Sequence, residues 1–101
     1  MKNEFGVNKI DFAKSISLFC PLGNDYYSAT VRVEFHPGDA TFDFCDVDKA
    51  IQKMSGKHYI VEQLVHQVFD MLDKTYKPKY LKVSVDACSN VHFPVTVTKE
   101  K

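Results

Sequence analysis

The sequence predicts an α+β fold: a four-stranded antiparallel sheet with two helices on one face, in the order strand, strand, helix, helix, strand, strand. Three observations carry this. Apolar and polar residues alternate with a period of two near both ends of the chain. The period becomes helical between about residues 59 and 76. The strands flank the helices instead of alternating with them, which suits an antiparallel sheet with its helices segregated to one side.

Residues 1–10 show no period and are read as an arm or a short edge strand. Phe12, Ile16 and Leu18 mark a first strand ending near Cys20. A polar loop, Leu22-Gly23-Asn24-Asp25-Tyr26, leads to a clearer strand in which Val31, Val33 and Phe35 face one way and Thr30, Arg32 and Glu34 the other. His36-Pro37-Gly38-Asp39 is a turn by composition. Ala40, Phe42 and Phe44 briefly resume the alternation. Asp46 to Met54 reads as a short helix with Asp46 as its N-cap, broken by Ser55-Gly56-Lys57. Val61, Leu64, Val65, Val68, Leu72 and Tyr76 form one stripe of a longer helix, ended by Lys77-Pro78. Two strands close the chain: Leu81, Val83 and Val85, then Val91, Phe93, Val95 and Val97. The phenylalanines, from Phe12 and Phe19 through Phe44 to Phe93, are expected in the core.

The 101 residues are read as one domain spanning 1–101, with 45% hydrophobic and 26% charged residues. Thirteen basic and thirteen acidic residues balance, so a generic nucleic-acid surface is not expected. No apolar run approaches the ~20 residues of a membrane helix, and the N-terminus does not read as a signal peptide. Three cysteines cannot all pair and match no zinc spacing. A cytoplasmic setting is expected.

Two residues stand out as chemistry. Cys20 closes a strand and is followed by proline and a glycine-containing loop whose free backbone donors can favour a thiolate. The plainer reading of any such cysteine is a small buried hydrophobe; Cys45 and Cys88 are read that way. Glu62 lies beside Val65 and Phe69 at the edge of the helical stripe. It is either a surface glutamate or a carboxylate that receives two parallel N–H donors from a flat heterocycle. His58, Glu62 and His66 recur at i, i+4, i+8 and would share one helix face. A metal site there is not expected; His58 is read instead as a polar neighbour of Glu62. Asp25, Tyr26 and Tyr27 follow Cys20 and could each move a proton, or simply shape a turn.

This layout, with a glutamate early in the second helix, resembles the tunnelling fold of purine and pterin enzymes. That group includes 6-pyruvoyl-tetrahydropterin synthase, dihydroneopterin aldolase and the 7-cyano-7-deazaguanine reductases. The resemblance implies that Glu62 anchors a heterocycle. It also implies a homo-oligomer larger than a dimer, in which joined subunits close a barrel and share their sites. The segment Phe42 to Lys49 is similar to the synthase's strand-to-helix signature. The synthase's zinc-binding His-Gly-His region reads Leu22-Gly23-Asn24 here, so zinc is not implied.

The Cys20-Pro21 loop, Ala29-Thr30-Val31 and Phe35-His36-Pro37 resemble the reductases. There the cysteine attacks the nitrile of 7-cyano-7-deazaguanine to form a thioimide. Over residues 12–98 the departures are as informative as the matches. The reductases' aspartate, seven residues after the cysteine, is Tyr27 here, and Asp25 stands two residues earlier. Their NADPH motif, Glu-Ser-Lys-Ser-Leu-Lys, is replaced by Asp43-Phe44-Cys45-Asp46-Val47-Asp48, and their Arg-Gly-Gly is absent around Ser89-Asn90-Val91. In size and in these losses the chain resembles a shorter branch, which uses the thioimide to accept ammonia and form the amidine of archaeosine in transfer RNA. The reading is therefore an enzyme of queuosine or archaeosine metabolism with Cys20, Asp25 and Tyr27 in the chemistry and Glu62 and His58 at the substrate. The alternatives are an NADPH-dependent reductase proper and a non-catalytic purine- or pterin-binding protein.

Overall fold

The computed structural model describes residues 1–90 and 92–101. Its elements are β1 (Ile10–Cys20), β2 (Asp25–His36), α1 (Phe44–Gln52), α2 (Val61–Tyr76), β3 (Tyr80–Cys88) and β4 (Val95–Glu100). The four strands form one antiparallel sheet in sequence order. Both helices cover one face of it, as the order of periods predicts.

The core follows the alternation. Ile16 and Leu18 of β1, Ala29, Val31, Val33 and Phe35 of β2, and Leu81, Val83, Val85 and Ala87 of β3 are all buried. Facing them are Val47 and Ile51 of α1 and Leu64, Val65, Val68, Phe69 and Leu72 of α2. Each Val, Leu, Ile or Phe among them contributes about 1.5–3 kcal/mol when fully removed from water. The other face of the sheet is polar. It is tied together by cross-strand contacts such as Ser15–Thr30 (3.1 Å), Ser84–Thr98 (2.9 Å) and Arg32–Asp86 (2.7 Å).

Several expectations change at the joints between elements. The cap of α1 is Asp43, not Asp46: the Asp43 Oδ1 accepts the Cys45 amide at 2.8 Å. Its short carboxylate reaches the second helical N–H, so the helix starts at Phe44, earlier than periodicity alone suggests. The expected strand through Phe42 and Phe44 is reduced to a bridge between Ala40 and Lys2. The arm is anchored there: Asn3 N–H donates to Asp39 O, and Thr41 N–H to Met1 O, both at 2.9 Å.

The core holds fewer phenylalanines than expected. Phe44 and Phe93 are exposed, at 69% and 74%, and Phe12 and Phe19 are half-buried. Phe44 points away as the first residue of a helix whose buried positions are Val47 and Ile51. Phe93 precedes β4, which begins only at Val95; Val91, the expected start of that strand, lies outside the described residues.

The turn after α1 also closes part of an open edge. Gly56, at φ 80, takes a left-handed conformation that suits glycine. Its N–H donates to Ser17 O at 2.7 Å, and the Phe19 N–H donates to Lys57 O at 3.0 Å. Residues 56–58 thus run beside the C-terminal half of β1 and satisfy backbone groups that an edge strand leaves unpaired.

Candidate active site

The site begins at the β1–β2 hairpin. Cys20 and Asp25 are its last ladder pair, and Pro21-Leu22-Gly23-Asn24 turn between them. Asn24 adopts φ 51, which asparagine tolerates better than most residues. The loop folds back so that the Gly23 N–H donates to the Cys20 Sγ at 3.4 Å. That places a donor where negative charge on sulfur would develop. Among the three free cysteines Cys20 is half-buried, whereas Cys45 and Cys88 are exposed.

Strand alternation sets what shares a face with the thiol. Leu18 pairs with Tyr27, and both point into the core. Cys20 lies two residues beyond Leu18 and Asp25 two before Tyr27, so all four face the helices. The Tyr27 side chain is buried and its hydroxyl donates to the Tyr59 carbonyl oxygen at 2.7 Å. Burial, and then the negative charges that Cys20 and Glu62 can carry, push its phenol up to about 12. Asp25 Oδ1 accepts the amide of its own neighbour Tyr26 at 2.8 Å.

Cys20, Gly23, Asp25 and Tyr27 line a cavity of about 30 Å³ together with Val61, Ser89 and His92. The first turn of α2 therefore forms one wall and the β3–β4 connection another. Ser89 and His92 were not singled out from sequence. The signal lay in the strand order: Ser28 near the start of β2 pairs with Cys88 at the end of β3. In an antiparallel sheet the loop after β3 must then lie beside the Cys20 hairpin.

Glu62 follows Val61 in the first turn of α2, where a carboxylate complements the helix dipole. It is exposed and close enough for its charge to act on Tyr27. Gln63 Oε1 accepts the Ile60 N–H at 3.1 Å, which fixes the start of the helix and the direction in which Glu62 leaves it.

His58 lies elsewhere. The helix begins at Val61, so His58, Glu62 and His66 share no helical face. His58 is exposed, bridges to Phe19 and sets its ring 4.9 Å from the Phe19 ring. By alternation Phe19 faces away from Cys20, so His58 is not brought to the thiol. His66 Nδ1 instead lies 3.1 Å from Lys99 Nζ. Among the described residues no three His, Cys, Asp or Glu side chains group as metal ligands.

The segment Asp43 to Asp48 caps and opens α1. It borders a concavity of about 480 Å³ between β1 and α1. Phe44 and Cys45 are exposed there, and Lys14 is paired with Asp48 at 2.9 Å. The charges lining it balance, Asp11 and Asp48 against Lys14 and Lys49. This donor set does not fit the phosphates of a nicotinamide cofactor, which call for a surplus of cations.

Comparison with known proteins agrees with this architecture. The chain superimposes on an archaeosine synthase described as QueF-Like, in its apo form, with a TM-score of 0.85, 21% identity and 93% of each chain covered. It superimposes on E. coli dihydroneopterin aldolase in complex with neopterin at 0.72, with 10% identity over 94% of this chain and 99% of that one. The fold is thus a tunnelling fold. In sequence it is 24% identical over 87 residues to the NADPH-dependent 7-cyano-7-deazaguanine reductase of Sulfurimonas denitrificans, and 26% to that of Wolinella succinogenes. Each alignment covers 84% of this chain and 70% of the relative. The chain thus has a tunnelling fold and is similar in sequence to 7-cyano-7-deazaguanine reductases. No family model matches it. No helix among the described residues is long and apolar enough to cross a membrane.

Proposed function

We propose that the chain processes the nitrile of 7-cyano-7-deazaguanine, free or carried in transfer RNA. Cys20 attacks the nitrile carbon to form a thioimide, and Glu62 receives the N–H edge of the base. The observation that carries this is the hairpin cavity, where a half-buried thiol with an amide donor on its sulfur sits with Asp25 and Tyr27. Amidine formation from the thioimide is favoured over reduction, because the α1 groove does not fit NADPH. Tyr27 closes the floor of the cavity through its bond to Tyr59.

The deciding experiment is intact mass spectrometry after incubation with 7-cyano-7-deazaguanine. One base per chain should add covalently, and Cys20→Ala should abolish the adduct. Glu62→Ala should weaken reversible binding of the base roughly tenfold to a hundredfold, in line with loss of charged hydrogen bonds worth about 1.5–3 kcal/mol. Unchanged affinity in that variant would reduce Glu62 to a surface residue.

A second reading is a non-catalytic purine or pterin binder. It is favoured by Tyr27, which stands where the reductases place an aspartate and whose hydroxyl is already committed to Tyr59. Reversible binding through Glu62 with no covalent adduct selects it.

A cavity of about 30 Å³ holds little more than one water, while small-molecule sites run to about 300–1,000 Å³. We infer that a neighbouring subunit supplies the missing walls, in a homo-oligomer larger than a dimer. Sedimentation at micromolar concentration should show that assembly; a stable monomer would remove the shared site.

A further inference from the structure

A neutral thiol does not add to a nitrile unaided. The S–H proton has to leave, and the nitrile nitrogen has to gain one. The groups around Cys20 differ in whether they can do this. The Tyr27 phenol, held up to about 12 and bound to the Tyr59 carbonyl, neither takes nor gives a proton near neutrality. Asp25 is a carboxylate that already accepts the Tyr26 amide. One of its oxygens is thereby committed to the backbone.

His92 lines the same cavity from the β3–β4 connection. Its Nδ1 lies 2.6 Å from the carbonyl oxygen of Phe93. A carbonyl only accepts, so Nδ1 carries the hydrogen, and in the neutral ring Nε2 keeps its lone pair. That is the tautomer of a general base, held by the backbone rather than by a third side chain.

We propose that His92 is the proton carrier for Cys20. Nε2 takes the thiol proton, the sulfur lone pair forms the C–S bond, and one π pair of the nitrile moves to nitrogen. The imidazolium then returns the same proton to that nitrogen, leaving a neutral thioimide with no oxidant or reductant required. The inference rests on the nitrile reading for its substrate, but the Cys20–His92 pairing itself does not. The ionisable groups that line the cavity with His92 are Cys20 from β1 and Asp25 and Tyr27 from β2, with Glu62 one residue beyond Val61 on α2. Tyr27 stays neutral. The plainer role, a loop histidine packed 5.9 Å from Phe93, needs no coupling to the thiol.

The test uses His92→Asn, whose amide can keep the bond to the Phe93 carbonyl but offers no base at Nε2. Iodoacetamide labelling of Cys20 is followed by peptide mass spectrometry from pH 5.5 to 8.5, with Cys45 and Cys88 as internal references. The unmodified protein should show an imidazole step in the Cys20 profile that the variant lacks, and adduct formation with 7-cyano-7-deazaguanine should slow about 100-fold. A Cys20 profile and an adduct rate both within twofold of the unmodified protein overturn the proposal and leave the nitrile reading standing. A His92-dependent step without any adduct in the unmodified protein supports the pairing while removing the nitrile reading.

Discussion

Two concavities among the described residues, both on the helix side of the sheet, differ in room and in the groups that line them. The larger, about 480 Å³, opens between β1 and α1 and is lined by Ile10, Phe12, Phe42, Phe44, Val47 and Ile51 with balanced charges at its rim. The smaller, about 30 Å³, holds a thiol, a carboxylate, a phenol and an imidazole at the other end of β1. The large one is what remains when a nine-residue helix covers part of an eleven-residue strand. The small one exists because two hairpin ends and a helix N-terminus meet. Volume singles out one end of β1; the clustering of a thiol, a carboxylate and an imidazole singles out the other, which is the end the proposed function uses.

Three substitutions test whether the two ends of β1 act independently. The largest effect is expected at Ile51, fully buried at the floor of the β1–α1 groove. Ile51→Ala should cost about 2–5 kcal/mol of stability, seen as a fall in urea midpoint. The pH profile of Cys20 labelling should keep its shape, because the groove has no part in the chemistry. A changed profile in the folded variant would show that the two ends communicate.

The next concerns Tyr27. Its phenol is raised from 10.0 to about 12, so the folded state holds that proton more tightly than the unfolded chain. The contribution is complete below pH 10 and is lost as pH rises toward 12, with a ceiling of about 2–3 kcal/mol. Tyr27→Phe should flatten that part of the alkaline decline in chemical denaturation. At neutral pH the variant should be about 1 kcal/mol less stable, for loss of the bond to Tyr59. Tyr80, also raised to about 12 by its bond to Glu100, leaves a residual slope. An unchanged slope would mean that the Tyr27 hydroxyl is not buried as described.

The smallest is expected at Lys14, which pairs with Asp48 across the groove rim at 2.9 Å. Asp48 is 57% exposed, so Lys14→Ala should change stability by less than about 1 kcal/mol, and by less still in high salt. A larger, salt-independent loss would show that the groove is closed by this pair.

What could be read directly was local. Val31, Val33 and Phe35 had to share a face, as did Leu64, Val65, Val68 and Leu72, because backbone geometry fixes periods of two and 3.6 whatever surrounds them. Cys20-Pro21 marked a strand end for the same reason, and the resemblance in those residues led to the tunnelling fold that the structural likenesses share. Errors gathered where a single hydrogen bond decides between neighbours. Asp43 and Asp46 are equally good caps by residue type, and only the path of the chain after Phe42 chose Asp43.

The composition of the site belonged to tertiary structure. His58 looked like a partner of Glu62 by spacing, but the helix starts three residues later and the Lys57 carbonyl ties that segment to β1, on the side of Phe19. His92, more than seventy residues from Cys20, carries no local mark at all. It comes to line the same cavity as the thiol because β3 pairs with β2 in a register that sets Cys88 against Ser28. Register of that kind is set by which apolar faces can be buried together across the whole sheet, so no window of sequence contains it.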